Sequence, residues 1–458
     1  MNLLQTLPEA LLNSLKDIKG FEKESFLAAH QQEKPITSVR FNPFKKTDIP
    51  NDALVLEEQV PWSSQGYYLQ DRPSFTTDPL FHAGMYYVQE ASSMFLEEVL
   101  KQTCDLSASL KVLDLCAAPG GKSTLIQSLL SPESLLVCNE VIKSRVNILS
   151  ENITKWGALN TIVTNNDPKD FLKLPEYFDV IVVDAPCSGS GLFRKDPNAI
   201  NEWSENNVAL CNQRQQRILN DILNALKPGG ILIYSTCSYS YHENEMICDW
   251  MIKEQDLNSI QIKTNADWNI VETSSAQHHA FGYRFYPNKL KGEGFFIAAF
   301  EKPNTAIQKT KYSQTNKIVP IKKTNSIQQW VKDDPSTEFF NWKDDVIAFP
   351  KNLFEEITNI QSALYIKKTG TTIGSLIRDE IIPAHELAVS TIKSESIHTI
   401  DIDLQTALSF LRLDLKNLLA ENKGWNLLSY KNTSLGFIKV LPNRINNYYP
   451  KEWRIIHK

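Results

Sequence analysis

The sequence predicts an α/β protein built on a doubly wound, Rossmann-like sheet, and three observations point to it. Between about residues 101 and 300, apolar β-type runs alternate with helical periodicity, as in strand–helix–strand units whose sheet is covered on both faces. A Gly-rich turn follows the first run, and two later runs each lead into a cysteine. In an open α/β sheet the carboxyl ends of the strands form the ligand crevice, so both thiols are expected to face one pocket.

Taken in order, the first unit is Val112-Leu113-Asp114-Leu115, which enters the turn Cys116-Ala117-Ala118-Pro119-Gly120-Gly121-Lys122-Ser123 and then a helix through Leu129. Glycines let a backbone approach a ligand closely, and a helix amino terminus offers free N–H groups. The second run, Leu135-Leu136-Val137-Cys138, ends in Asn139-Glu140. An acidic residue at this interval after the turn is where such folds bind ribose hydroxyls. The third, Thr161-Ile162-Val163-Thr164, ends in Asn165-Asn166-Asp167. The turn has neither the G-x-G-x-x-G spacing of a pyrophosphate site nor the G-x-x-x-x-G-K-[ST] spacing of a P-loop. A nucleoside without phosphate suits it better, and S-adenosylmethionine is the expected cofactor.

The fourth run, Val180-Ile181-Val182-Val183, leads into Asp184-Ala185-Pro186-Cys187-Ser188-Gly189; the fifth, Ile231-Leu232-Ile233-Tyr234, leads into Ser235-Thr236-Cys237-Ser238. A single cysteine in such a place is ordinarily a small buried hydrophobe. Two in matching positions suggest covalent chemistry on a base.

These motifs, in this order and spacing, resemble the Nop/Sun-type RNA cytosine-C5 methyltransferases, and within them the bacterial branch that acts on 16S ribosomal RNA. Tyr87-Val88-Gln89-Glu90-Ala91-Ser92-Ser93, Lys291-Gly292-Glu293-Gly294-Phe295-Phe296 and Asn446-Asn447-Tyr448-Tyr449-Pro450 extend the resemblance over nearly the whole chain, least securely between about 301 and 345. The resemblance implies a class I methyltransferase sheet with Cys237 as nucleophile, Cys187 assisting product release, and Asp184 at the cytosine edge near N3. Lys122 is a further candidate for reaching the base. The cofactor site it implies comprises Cys116, Ala117, Ala118, Pro119, Gly120, Gly121, Lys122, Glu140, Asp167 and Asp184. The chemistry is coherent, because carbon 5 of cytosine is a poor nucleophile until a thiolate adds to carbon 6. The bare sequence does not rank the two thiols: DNA cytosine methyltransferases use a Pro-Cys cysteine, which would select Cys187.

Composition sets outer bounds. The 458 residues suggest two to four domains, and 42% hydrophobic with 22% charged residues implies packed cores. No run is long enough to span a membrane, and the amino terminus lacks the marks of a signal peptide, so a cytoplasmic protein without membrane association is expected. Seven cysteines form no C-x-x-C pair or disulfide framework, and the adjacent His278 and His279 lack a ligand cluster, so no metal is expected. The net charge of −5 argues against nucleic acid, but its distribution qualifies this. Lys34, Arg40, Lys45 and Lys46 lie in an acid-free stretch with Phe41 and Phe44, and residues 301–323 hold six lysines, with Tyr312 among them, against one glutamate. For the second stretch a solvated linker is an equal alternative, and the Arg194-Lys195-Asp196-Pro197 loop is read either as a backbone contact or as plain surface.

The expected organisation is therefore an amino-terminal RNA-binding region (1–100), an S-adenosylmethionine-dependent catalytic domain (101–300), a basic linker (301–344) and a β-rich, α+β carboxyl-terminal RNA-binding domain (345–458). In the last, Ser362–Ile366 and Gly436–Val440 read as strands, Ser390 to Leu419 as containing a helix, and Tyr448, Tyr449, Trp453 and Arg454 either as an RNA grip or as packing for a small β core. The expected partner is ribosomal RNA or the small ribosomal subunit, bound by a monomer. Transfer RNA methylation and a non-catalytic assembly factor are the alternatives. With the catalytic sheet complete before the linker, removal of residues from 345 onward is expected to leave cofactor binding largely intact while reducing RNA affinity.

Overall fold

The computed structural model describes residues 7–31, 36–45, 53–304, 318–378, 380–415, 418 and 422–456. Lys34, Lys46 and Tyr312, with Lys309, Lys311 and Lys317, lie outside these residues. Four sheets organise the described chain.

The amino-terminal region forms an antiparallel sheet of β1 (Thr37–Phe41), β2 (Leu56–Gln59), β3 (Gly66–Leu69) and β4 (Tyr86–Val88), ordered β2-β3-β1-β4. Two preceding helices, Glu9–Ser14 and Lys23–His30, lay Leu11, Leu12 and Phe26 against Tyr239 and Tyr286 beneath the second cysteine loop. Arg40, expected among RNA-facing charges, is instead buried. Its guanidinium donates to Gln89 Oε1 at 2.8 Å and Thr124 Oγ1 at 2.6 Å, so it fastens β1 to the helix Gly121–Leu129.

The catalytic sheet uses β5 (Lys111–Asp114), β6 (Leu135–Asn139), β7 (Thr161–Thr164), β8 (Phe178–Asp184), β9 (Leu226–Thr236), β10 (Asn258–Ile260), β11 (Val271–Ser274), β12 (Phe281–Phe285) and β13 (Phe295–Glu301). Its order is β11-β12-β13-β9-β8-β5-β6-β7, with β10 pairing β13; β5 to β9 are parallel and β10 to β13 antiparallel. The strand runs are continuously apolar because both faces are covered. Leu113, Val137 and Ile181 pack against the helices Glu205–Ile222 and Glu245–Gln255. Val112, Leu136 and Val182 pack against Leu96–Thr103, Gly121–Leu129 and Lys143–Trp156. The connections leave β5 and β8 in opposite directions, which opens a crevice at their carboxyl ends. This is the expected doubly wound α/β sheet.

The remainder departs from the sequence reading. Residues 318–344, expected as linker, already carry β14 (Pro320–Ile321) and β15 (Thr337–Trp342), which join β16 (Asp345–Pro350), β18 (Thr371–Ile377) and β19 (Glu380–Pro383) in a sheet ordered β14-β15-β16-β18-β19. Ser362 and Ala363 end a helix, Phe354–Ala363, whose Ile357 and Ile360 share one buried face, rather than starting a strand. The strand that follows, β17 (Ile366–Thr369), leaves its own sheet and pairs antiparallel with β7. The catalytic sheet is therefore completed by the carboxyl-terminal part, with Phe340, Ile347, Phe349 and Leu353 in the same core as Leu113 and Ile181. A last sheet, β20 (Thr399–Asp401), β21 (Gly424–Tyr430), β22 (Thr433–Leu441) and β23 (Arg444–Asn447), packs with the helix Leu404–Leu411 against β1 and β3 through Val39, Leu69, Phe410 and Ile438. Of the proposed grip, Tyr449 is core, with its ring 5.0 Å from His385 and 5.5 Å from Phe410, and Tyr448 lies 4.5 Å from Trp425. No described helix is long and apolar enough to cross a membrane.

Candidate active site

The expected site residues fall on one rim, because the strands carrying them are parallel and in register. The turn follows β5, Glu140 follows β6, Asp184 ends β8, Cys187 follows it, and Cys237 follows β9.

The turn is held from both sides. Ala117 N donates to Asn139 O at 2.8 Å, Arg145 Nη2 to Ala118 O at 2.6 Å and Asn152 Nδ2 to Pro119 O at 2.8 Å. It passes through Gly120 at φ +117°, a backbone state that residues with side chains rarely adopt. Cys116 is a wall of this turn, its thiol pushed up by burial and then by the Asp114 charge, so it is a poor nucleophile.

Asp114, which the sequence reading quoted without a role, is fully buried at the end of β5. Its Oδ2 accepts from Ser123 Oγ at 2.6 Å, while Oδ1 has no donor. Burial pushes its carboxyl up to about 7; Ser123 and Lys122 oppose this, and Asp184 and Glu140 add to it. An acceptor orphaned beside a Gly-rich turn suits a cationic ligand group. Glu140 is buried, with Oε1 accepting from Ile142 N at 2.8 Å and Oε2 3.5 Å from Arg145 Nη1. Beside it, Val141 and Ile142 stand 51% and 47% exposed, an apolar ledge next to an acid. The rim thus sets a buried carboxylate, an exposed apolar ledge and an orphaned acceptor side by side. Asp167 is committed elsewhere: its Oδ1 accepts from Lys169 N at 3.2 Å to cap the short helix Pro168–Lys173, and it lies 3.4 Å from Arg217 Nη1. Its buried neighbour Asn166 exchanges hydrogen bonds with the Tyr365 backbone, Nδ2 donating to Tyr365 O at 3.1 Å and Oδ1 accepting from Tyr365 N at 3.0 Å.

The reactive groups lie further along the rim. Cys187 Sγ and Cys237 Sγ are 3.0 Å apart. Lys122 Nζ pairs with Asp184 Oδ2 at 2.8 Å and lies 5.1 Å from the Phe295 ring centre, and Ser235 Oγ donates to Asp184 Oδ1 at 2.8 Å. Burial works against the Lys122 ammonium, but Asp184, Asp114 and the charge on Cys237 outweigh it, and its pKa is raised. The Cys187 thiol is pushed well up, first by its hydrogen bond to Cys237, then by burial, then by the charges on Cys237 and Glu243.

Sequence reasoning missed Glu243. Fully buried, it accepts from Ser188 N at 2.7 Å, Ser188 Oγ at 2.6 Å and Ser238 Oγ at 2.6 Å, so one carboxylate ties together the residues that follow the two cysteines. The loops also nest through Gly191, whose N–H donates to Cys237 O at 2.9 Å and where a Cβ would sit 2.3 Å from Gly294 O. Two of the three outlying motifs meet behind them: Glu90 Oε1 accepts from Glu293 N at 2.9 Å and Ser92 Oγ donates to Glu293 O at 3.0 Å. Arg194 is buried, donating to Gly292 O at 3.2 Å, so it is not an RNA-facing side chain. All seven cysteines are free, and no metal-type cluster occurs among the described residues.

Comparison with known proteins places the chain among ribosomal RNA methyltransferases. Residues 102–301 match the 16S rRNA methyltransferase RsmB/F family, residues 7–91 the N-terminal domain of 16S rRNA methyltransferase RsmF, and residues 397–455 the methyltransferase RsmF PUA domain. The chain is 30% identical to ribosomal RNA small subunit methyltransferase F of Vibrio campbellii over 483 residues, covering 97% of each chain. It is 29% identical to that of Pectobacterium atrosepticum over 475 residues, covering 98% of this chain and 96% of the relative. Among solved structures, a methyltransferase homolog protein from Pyrococcus horikoshii aligns with a TM-score of 0.52 and 28% identity over 65% of this chain and 100% of its own. NSun6 from the same organism, crystallised with SFG, shares the fold at a TM-score of 0.54 and 20% identity, covering 66% of this chain and 100% of its own. With a sheet, a cofactor rim and near full-length relatives all in agreement, this chain is an S-adenosylmethionine-dependent methyltransferase and belongs to the RsmB/F family of 16S rRNA methyltransferases.

Proposed function

We propose that this protein methylates carbon 5 of a cytosine in 16S ribosomal RNA through a covalent bond between Cys237 and carbon 6 of the base. The observation that carries the reading is the thiol pair, 3.0 Å apart at the carboxyl ends of adjacent parallel strands.

Cys237 Sγ adds as thiolate to carbon 6, and the electron pair of the C5–C6 bond moves to carbon 5. Asp184 holds the base at its N3 edge, and Lys122, paired to it, offsets the charge that develops on the ring. S-adenosylmethionine, when bound, supplies the electrophilic methyl group that carbon 5 takes. Asp114 is assigned to its amino group, Glu140 to its ribose, and Val141 and Ile142 to its adenine. The methylated carbon must then lose its proton while the S–C6 bond breaks, returning Cys237 as thiolate. Cys187 suits this step: of the influences that hold its proton, the hydrogen bond to Cys237 and the charge on Cys237 are removed when Cys237 becomes a thioether, while burial and the Glu243 charge remain. Cys187 then gives its own proton to solvent and accepts the one on carbon 5. The target base leaves its stack to reach the crevice, and the amino-terminal and carboxyl-terminal regions capture the RNA around it.

Alanine variants test the order of the thiols. Cys237→Ala is expected to give no methyl transfer and no covalent RNA complex. Cys187→Ala is expected to accumulate a protein–RNA adduct that survives denaturing electrophoresis. An adduct in Cys237→Ala but not in Cys187→Ala would reverse the roles.

A further inference from the structure

A cleft far along the chain from the thiols gathers ammonium groups where the three regions meet. Lys45 enters from the turn after β1, Lys332 and Lys393 from the carboxyl-terminal region, and the β21–β22 hairpin adds Asn432 and Ser434. A cavity of about 260 Å³ adjoins a second of about 310 Å³, and Lys332, Lys393, Asn432 and Ser434 line both.

The charges here are unbalanced. Among the described residues Lys45 Nζ donates to the carbonyls of Ala83, at 2.7 Å, and Lys155, and Lys393 Nζ to Ser390 O at 3.2 Å. Among the described residues neither amine has a carboxylate partner within ion-pair distance, and the neighbouring Lys155 is already paired with Glu151. Glu395, the one acid lining either cavity, is 89% exposed and 3.6 Å from Lys332. Burial, then the Lys393 and Lys155 charges, push the Lys45 amine well below its ordinary value. Burial and Lys332 lower that of Lys393, with Glu395 opposing. Like charges crowded without an intervening acid are relieved by an anion. Two adjoining lysine-lined cavities suit successive phosphates on a chain better than one small ion.

We propose that this cleft holds the sugar–phosphate backbone of the RNA substrate, a sequence-independent anchor shared by the amino-terminal and carboxyl-terminal regions. The assignment rests on the reading of RNA as substrate. Phosphate contacts fix register without reading sequence, so the anchor would act on binding and not on the chemical step.

The test is Lys332→Gln/Lys393→Gln in the full chain, with filter binding of a 16S rRNA fragment between 0.05 and 1 M KCl as about the usable range. Two lost phosphate contacts on single-stranded RNA should make the salt slope shallower by about 1.4, which is roughly 25-fold in affinity at 0.1 M if the two proteins converge at 1 M. Lys332→Gln alone, at an exposed position, should show about half that slope change. Methyl transfer at saturating RNA and cofactor affinity should stay unchanged. An unchanged slope in the folded variants overturns the anchor. So does a result in which inorganic phosphate raises the melting temperature of the parent but not of the variant while RNA binding is unaltered, since the cleft would then be a small-anion site. Failure of the parent itself to bind the RNA at any salt would instead sink the substrate reading, and the anchor with it.

Discussion

Replacing Glu243 with glutamine separates alignment of the two thiols from every other property of the site. Three short hydrogen bonds end on its carboxylate, two from Ser188 and one from Ser238. Bonds to a charged group contribute about 1.5–3 kcal/mol each and neutral ones about 0.5–1.5. Glutamine keeps one acceptor, for the Ser188 N–H, and requires both serine hydroxyls, which end on the other oxygen, to turn round and accept. About 1 kcal/mol is therefore lost per bond, ~3 kcal/mol in all. If between half and all of this is expressed as misalignment of Cys187 and Cys237, methyl transfer falls by roughly tenfold to 150-fold. The substitution also removes a negative charge that helps to hold the Cys187 proton, so the limb of the pH–rate profile governed by that thiol should move to lower pH. Single-turnover transfer of labelled methyl to an rRNA fragment across pH, with cofactor affinity measured by calorimetry, reads both effects. A rate within twofold of the parent would refute the argument. So would a slow variant whose pH limb has not moved, or one that loses cofactor affinity in proportion, since either outcome describes a merely structural residue.

Three further outcomes follow from the site and its surroundings. Glu140→Ala should weaken S-adenosylmethionine binding roughly tenfold to hundredfold by removing charge-assisted bonds to the ribose, and unchanged affinity in a folded variant would take Glu140 out of the site. The Asp114 carboxyl, near 7 in the folded chain against about 3.9 in an unfolded one, retains a proton that the unfolded state has lost, so stability falls as pH rises from about 4 to 7, by ~4 kcal/mol at most; Asp114→Asn should therefore raise the urea midpoint of the cofactor-free protein at pH 8 more than at pH 5 while weakening cofactor binding, and equal gains at both pH values would contradict this. Removal of residues from 345 onward should reduce cofactor affinity as well as RNA affinity, because β17 and the Tyr365 backbone are lost from β7 and Asn166; calorimetry showing parent-like affinity would return the catalytic sheet to independence.

The parallel strands and their terminal motifs were legible because two covered faces impose continuous apolar runs and because the rim is made of residues next to strand ends. Glu243 was not, since its role depends on Ser188, which lies 55 residues away in sequence. Arg40 read as an RNA contact because charge in a sequence carries no depth; in the fold it crosses from β1 to Thr124. Tyr449 and Trp453 posed the same difficulty: they pack around His385. β17 is Ile366-Lys367-Lys368-Thr369, with a single apolar residue, and nothing in so polar a run indicates which sheet it joins. In β15 the two core residues, Phe339 and Phe340, are adjacent rather than alternating, which hid the strand within a Lys-rich stretch.

The pairing of β17 with β7 also sets a timetable for synthesis. β7 ends at Thr164, but the strand that covers its open edge is complete only at Thr369, about 200 residues later. At roughly 5–20 residues per second, the nascent chain carries a parallel sheet with an uncovered edge for about 10–40 s. An unpaired strand edge is a template for pairing with another chain. Crowded ribosomes or slow translation between residues 165 and 369 would therefore lower the yield of this protein through aggregation before its native state is in question.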